Sequence, residues 1–195
     1  MDPDEWAGWA PTEPRFVANV TQDLYKRSLA DDQTLQPPGR QWTSWQFWEQ
    51  ATAGLDRMPA GPGSQTIGGL GSLPLPAMQQ YLRDAGAYLY TATQPASYTL
   101  AYIEALMTGT PMVSIGPQWM RIHPYSQQMF EAHEIAPLWS NRPSHAREYL
   151  QRLLAEPEYA AEVSAEGRAA AIELFGKARI MEQWRDYLEG PPVRH

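Results

Sequence analysis

The pattern that most constrains the fold of this chain lies between residues 87 and 115. An apolar run from Ala87 to Tyr90 leads into a polar turn at 91–96, and an amphipathic segment follows from Ser97 to Met107. A second apolar run then extends from Met112 to Ile115. This order predicts a strand, a helix and a strand, which is the parallel βαβ unit with its right-handed crossover. The sequence therefore predicts an α/β fold with a parallel sheet.

The turn between the first of these strands and the helix is the predicted ligand site. Such units bind ligands at the carboxyl ends of their strands, which here means Thr91 to Thr99. Ser97 and Thr99 are suited to cap the helix, whose free N–H groups favour a phosphate. Glu104, further along the helix, is suited to accept hydrogen bonds from ribose hydroxyls. A solvated helical glutamate is the plainer interpretation of the same residue.

The residues around Glu104 resemble a known signature. In the carboxyl-terminal, nucleotide-sugar-binding domain of GT-B glycosyltransferases of the group 1 type, one Glu is followed after seven residues by a second Glu. A small residue and Gly-x-Pro come next. Here Glu104 matches the second Glu, Ala105 matches the small residue, and Gly109-Thr110-Pro111 matches the end. The first Glu, which contacts the donor sugar in the family, is replaced by Ala96. The resemblance covers about residues 16–188.

The resemblance implies a glycosyltransferase, or the donor-binding half of one. Such a protein binds a nucleotide diphosphate sugar and transfers the sugar, with retention of configuration, to an acceptor that the sequence does not name. It implies no metal and no cofactor besides the donor. The family holds the leaving diphosphate with an Arg and a Lys after its first strand, so the implied catalytic residues are Lys26, Arg27 and Arg40. The implied donor-binding residues are Gly69, Gly71, Thr93, Ser97, Tyr98, Thr99, Leu100 and Glu104.

Two other functions remain open at this point. One is a non-catalytic nucleotide or nucleotide-sugar binding module that needs a partner chain, and the replacement at Ala96 favours it. The other is a different Rossmann-like fold that binds a dinucleotide, although no Gly-x-Gly-x-x-Gly opening follows the first strand. Each basic residue in the first loop also has a plainer interpretation as a solvated surface charge.

The length of the chain predicts that part of a complete enzyme is missing. Its 195 residues accommodate one domain, whereas a GT-B enzyme has two. The acceptor side would then come from a partner chain or from a homodimer. In the family the last helix crosses to the other domain, so Trp184, Tyr187 and Leu188 are the expected interface residues.

The composition excludes several functional classes. The net charge is -7 and no long basic run is present, which argues against a broad nucleic-acid or anionic membrane surface. The absence of cysteine excludes disulfides, thiolate metal sites and a Cys nucleophile, and it favours a cytoplasmic protein. No apolar run reaches the roughly 20 residues that span a bilayer. The four histidines lack ligand spacing, and no Gly-x-Ser-x-Gly motif occurs.

The remaining elements complete a single Rossmann-like domain, with helices on both faces of the sheet, at residues 15–190. An irregular arm is expected at 1–14, and the closing helix at about 177–189. Further strands are expected at 16–20, 65–67 and 133–136, with a Pro- and Gly-rich turn at 57–64. Further helices are expected at 42–55, 75–85, from Ser144, and from Pro157 to Phe175.

The helix at 42–55 carries tryptophans at positions 42, 45 and 48. This stripe predicts core packing, with an aromatic platform for a sugar as the alternative.

Overall fold

The core of the protein is a parallel sheet, seen in the residues that the computed structural model describes: 1–20, 44–91, 100–115 and 138–189. Within these ranges five strands pair in the order β2-β1-β3-β4-β5, and every pairing is parallel. The strands are β1 (Val17–Val20), β2 (Arg57–Ala60), β3 (Ala87–Tyr90), β4 (Met112–Ile115) and β5 (Trp139–Ser140). The predicted fold class, a single α/β domain with a parallel sheet, is confirmed.

Helices cover the sheet in two groups. The helices are α1 (Pro3–Trp6), α2 (Ser44–Ala51), α3 (Leu75–Asp84), α4 (Leu100–Thr108), α5 (Pro143–Ala155), α6 (Pro157–Phe175) and α7 (Lys177–Glu189). Helix α2 packs against α5, whereas α1, α3 and α6 all pack against α4. Because crossovers between parallel strands are right-handed, the two groups lie on opposite faces.

The central strands are apolar along their whole length. Every residue of β3 and β4 is buried, as expected for parallel strands that are covered on both faces. On α2, the side chains of Phe47 and Trp48 are 0% and 1% exposed, and Trp45 is partly buried against the core. The core interpretation of this stripe is confirmed for these residues, while Trp42 lies outside the described residues.

The second strand corrects the sequence-based prediction. The segment that was expected to form a turn contains β2, and the expected strand at 65–67 is part of a 3-10 helix, Ser64–Ile67. Proline in the segment favours a turn, but β2 is an edge strand, where the missing N–H of Pro59 is tolerated. The prediction failed because edge position is not visible from composition.

The first fourteen residues are more ordered than predicted. Pro3 opens α1 rather than breaking it, because proline is tolerated in the first turn of a helix. Trp6 is buried, and Arg83 donates hydrogen bonds to the backbone carbonyls of Glu5 and Ala7 at 2.9 Å each. This segment is therefore packed onto α3.

The carboxyl-terminal helices match their predicted bounds closely. Helix α5 begins at Pro143 with Arg142 at the N-cap position, so Ser144 is not the cap. The strand beside β4 is Trp139–Ser140, and the predicted strand at 133–136 lies outside the described residues. Helix α7 has no buried residue among those described. None of the described helices combines the length and apolarity needed to cross a membrane.

Candidate functional site

The strand order places a crevice at the carboxyl ends of β1 and β3. The chain leaves β1 for β2 on one side and returns to β3 on the other, so the direction of winding reverses between β1 and β3. Ligands of open α/β sheets bind outside the strand ends at this reversal point. The described chain stops after Val20 and after Thr91, so the segments 21–43 and 92–99 both start at this edge.

Side chains replace the backbone ladder between β1 and β3 at the end of β1, whereas β1 stays paired with β2 through Val20 opposite Ala60. The pairing of β1 with β3 ends at Ala18 opposite Tyr88. Beyond it, the side-chain amide of Asn19 donates to the carbonyl of Leu89 at 2.8 Å, and the backbone N–H of Val20 donates to the hydroxyl of Tyr88 at 3.1 Å. The two strands thus separate at the reversal point, and side chains bridge the gap.

The hydroxyl of Tyr81 also binds the end of β1, on the side that faces β2. The hydroxyl of Tyr81 accepts a hydrogen bond from the backbone N–H of Asn19 at 3.0 Å and donates to the carbonyl of Met58 on β2 at 2.5 Å. Burial raises the pKa of Tyr81 and of Tyr88, so both phenols stay protonated at neutral pH. The end of β1 is therefore held between two neutral hydroxyls.

Glu104 on α4 is half-buried, and this burial raises the pKa of its carboxyl group. Glu104 is thus not a fully solvated helical glutamate. A carboxylate in this environment can accept hydrogen bonds from the hydroxyls of a ligand with little competition from water.

The two predicted glycines, Gly69 and Gly71, follow β2 at the same edge of the sheet. Their backbone N–H groups already donate hydrogen bonds within the protein. The N–H of Gly69 donates to the carbonyl of Ser64 at 2.9 Å, and the N–H of Gly71 donates to the Ser64 hydroxyl at 2.8 Å. A Cβ at Gly69 would collide with the carbonyl oxygen of Pro59. These contacts account for glycine at position 69 through packing, so a role in donor binding stays a prediction.

The other predicted site residues divide into two groups. Leu100 opens the described part of α4 and is exposed, at the same edge of the sheet. The remaining predicted residues lie outside the described residues: Lys26, Arg27, Arg40, Thr93, Ser97, Tyr98 and Thr99.

Sequence reasoning missed Asn19 and Tyr88. The signal for Asn19 was a polar residue inside an otherwise apolar strand, since a buried amide needs a hydrogen-bond partner. The signal for Tyr88 was a phenol in a strand that is buried on both faces, where its hydroxyl must also find a partner. Neither pattern identifies the partner, which depends on how β1 and β3 separate.

No group of three or more His, Asp or Glu side chains is placed to hold a metal ion within the described ranges. The carboxylate of Asp2, near the amino terminus, has a structural role. The carboxylate of Asp2 accepts a hydrogen bond from the backbone N–H of Asp4 at 3.2 Å, which caps α1, and it forms a salt bridge with Lys177 at 3.4 Å.

Known structures share this architecture. HepE from Anabaena, in complex with UDP and glucose, matches with a TM-score of 0.63 at 13% identity, over 98% of this chain and 55% of that chain. Sucrose-phosphate synthase from Thermosynechococcus elongatus matches with a TM-score of 0.61 at 13% identity, over 97% of this chain and 50% of that chain. WaaG, a glycosyltransferase involved in lipopolysaccharide biosynthesis, matches with a TM-score of 0.55 at 10% identity, over 92% and 48%.

The chain has the fold of one domain of a GT-B glycosyltransferase. It spans about half the length of the structures that it matches. No protein-family model matches the sequence, and no curated protein matches it by sequence similarity. At these identities the likeness shows the fold alone, and the GT-B-like domain predicted from the sequence around Glu104 is confirmed at that level.

Proposed function

We propose that this chain is the donor-binding half of a retaining glycosyltransferase and binds a nucleoside diphosphate sugar. The observation that carries the proposal is the half-buried carboxylate of Glu104 on α4, the helix that follows β3 in a domain with a GT-B-type fold. Glu104 accepts hydrogen bonds from the ribose hydroxyls. The resemblance at residues 104–111 supports this role independently of the fold.

The diphosphate is assigned to the segments that leave β1 and β3. As the glycosidic bond breaks, negative charge gathers on the diphosphate, and an enzyme accelerates the step by placing cations and N–H donors there. Lys26, Arg27 and Arg40 supply the cations in this proposal. The N–H groups of Ser97, Tyr98 and Thr99 supply the donors. The donor sugar is bound without the first carboxylate of the family signature, because Ala96 occupies that position.

The acceptor side comes from another domain. The chain spans about half the length of the structures that it matches. The exposed face of α7 is the proposed contact, because Met181, Trp184, Tyr187 and Leu188 are each 58–73% exposed. The second candidate function, a nucleotide-sugar binding module without catalysis, is favoured by the replacement at Ala96.

Isothermal titration calorimetry tests the binding step. UDP is the first probe because the HepE structure was solved with UDP, and GDP, ADP and NAD follow. We expect binding of at least one nucleoside diphosphate and a loss of about tenfold in affinity for Glu104→Gln, since a hydrogen bond to a charged group contributes about 1.5–3 kcal/mol. Glu173→Gln, at an exposed position on α6, is the matched control.

The outcomes separate the candidate functions. Binding of NAD but of no nucleoside diphosphate would favour the dinucleotide fold, and no binding at all would remove both leading candidates. Release or transfer of sugar from a panel of nucleotide sugars, lost in Arg27→Ala, would establish the enzyme. Binding without turnover, alone and with candidate partner chains, would favour the module.

A further inference from the structure

We propose that Met1 and Asp2 form a latch that fixes the direction of α7 relative to the rest of the domain. The latch lies at the point where α6 ends and α7 begins. Helix α7 carries the exposed apolar face, so the latch determines how this face is presented to another domain. That consequence rests on the proposed function, whereas the latch itself does not.

The first step is the junction between α6 and α7, which is a single residue, Gly176. Its N–H donates to the carbonyl of Ile172 at 3.0 Å and ends α6, and its carbonyl accepts from the N–H of Ile180 at 3.1 Å and begins α7. Helix α7 packs on α6 but has no buried residue in its range 177–189. Because a residue has only two soft backbone dihedral angles, the direction of α7 depends largely on φ and ψ of Gly176.

The second step is that Met1 binds both sides of this junction. Its backbone nitrogen donates to the carbonyl of Phe175, the last residue of α6, at 3.1 Å. Its carbonyl accepts from the N–H of Lys177, the first residue of α7, at 2.8 Å. Both groups need partners outside their helices, because the last carbonyls and the first N–H groups of a helix have none within it. Rotation about Gly176 would therefore break at least one of the two bonds.

The third step is that the latch is anchored to the body of the protein. The side chain of Met1 is partly buried against the core. The carbonyl of Pro3 accepts a hydrogen bond of 2.9 Å from the guanidinium of Arg168 on α6, and Trp6 is buried in the core. Residues on both sides of Asp2 are thus held in place, so the carbonyl of Met1 is a fixed acceptor for α7.

A proline at position 177 breaks the latch selectively. Lys177→Pro removes the N–H that donates to Met1, and it leaves α7 intact because proline is tolerated at the first position of a helix. Gly176 already has a ψ of 144°, within the extended range that proline favours in the residue before it. Lys177→Ala is the matched control, since it keeps the N–H and removes only the ion pair with Asp2. That pair joins solvent-exposed groups, so its loss has little effect.

Pulsed electron paramagnetic resonance between two spin labels measures the direction of α7. The chain contains no cysteine, so Glu148→Cys on α5 and Asp186→Cys on α7, both at exposed positions, provide one defined pair of labels. With Lys177 present, we expect one narrow distribution of distances. In Lys177→Pro, we expect the fraction of molecules outside this distribution to rise about fivefold, the change that the loss of one hydrogen bond produces in an equilibrium. In Lys177→Ala, we expect no change.

Circular dichroism and urea unfolding first establish that the labelled variants are folded. A broad distribution with Lys177 present, no change in Lys177→Pro, or an equal change in Lys177→Ala would each overturn the inference. The measurement uses no nucleotide. The latch can therefore fail while nucleotide binding upholds the proposed function, and the reverse result is equally distinguishable.

Hydrogen exchange decides the matter if Lys177→Pro does not fold. In the wild type, after correction for intrinsic rates, we expect the amide of Lys177 to exchange about tenfold more slowly than that of Ala178, because the latch gives Lys177 a partner outside the helix. Equal rates, or faster exchange at Lys177, would contradict the latch.

Discussion

The indole nitrogen of Trp9 donates a hydrogen bond of 2.8 Å to the backbone carbonyl of Ala85, at the point where α3 ends and the chain turns into β3. The N–H groups of Ala10 and Thr12 donate to the carbonyls of Arg83 and Asp84 at 3.1 Å each. The amino-terminal segment thus supplies partners for the last carbonyls of α3, which lack donors within the helix. The segment therefore stabilises the helix that carries Tyr81.

Trp9→Phe removes the indole N–H and leaves the Ala85 carbonyl without this donor. We expect the free energy of unfolding to fall by about 1 kcal/mol, the usual contribution of one hydrogen bond, with some further loss from the smaller ring. Urea denaturation measures the change. Trp184→Phe is the control, because Trp184 is 59% exposed on α7, and its effect should stay within about 0.5 kcal/mol. Similar losses in both variants would argue against the role of the Trp9 hydrogen bond.

The parts of the fold that were predicted correctly are those in which local pattern decides the structure. β3, β4 and α6 have apolar runs or prolines and glycines at their ends, and their observed bounds agree with the prediction. β2 was missed because Pro59 and its neighbouring glycines favour a turn unless the strand lies at the edge of the sheet. The segment after it forms a 3-10 helix and not the predicted strand, and Gly63 and Gly68 at its two ends both adopt left-handed conformations.

The candidate site was predictable only in part. Glu104 was found because a local signature surrounds it, and the structure adds that it is half-buried. Asn19 and Tyr88 are 69 residues apart in the sequence, and their roles arise from the separation of β1 and β3. A contact of this kind depends on strand register, which the pattern within one strand does not specify.

Gly109 connects α4 to β4 with a φ of +90°, a conformation that side-chain-bearing residues rarely adopt. An added Cβ would also lie 3.1 Å from the hydroxyl of Ser164. We expect Gly109→Ala to lower the free energy of unfolding by about 2 kcal/mol, since the left-handed backbone alone costs roughly 1–2 kcal/mol. Gly54→Ala is the control, with a φ of +79° and no heavy atom within 4 Å of the added Cβ. If both substitutions have the same cost in urea unfolding, contact with Ser164 makes no contribution.

The exposed face of α7 is expected to contribute to association and not to folding. Leu188 is 73% exposed, so Leu188→Ser should change the free energy of unfolding by less than about 0.5 kcal/mol. If α7 contacts a second copy, sedimentation of the wild type should show a dimer that this variant loses. Leu150→Ala, at a fully buried position on α5, should instead cost about 2–5 kcal/mol. A wild-type monomer at high concentration would exclude a second copy as the contact of α7, and an unfolded Leu188→Ser would show that α7 is structural.

Glu104 is expected to reduce stability at neutral pH while it supports binding. Burial raises its pKa above the ordinary value of 4.5, so the folded protein binds a proton at this carboxyl more tightly than the unfolded chain does. Stability attributable to this group is therefore present below about pH 4.5 and is lost as the pH rises through the raised pKa. Glu104→Gln removes this penalty, so the variant should be more stable than the wild type at pH 7, and the difference should vanish near pH 4. Urea unfolding across this range, with Glu173→Gln as the control, measures the effect.

The same titration should act in the opposite direction on nucleotide binding. The ionised carboxylate accepts hydrogen bonds from the ribose hydroxyls more strongly than the neutral acid does, so wild-type affinity for the nucleoside diphosphate should fall as the pH drops through the raised pKa of Glu104. Glu104→Gln should bind weakly at every pH, which calorimetry between pH 4.5 and 8 would show. If wild-type affinity instead rises as the pH falls, as the stability attributed to Glu104 does, the ionised carboxylate of Glu104 does not contact the ribose.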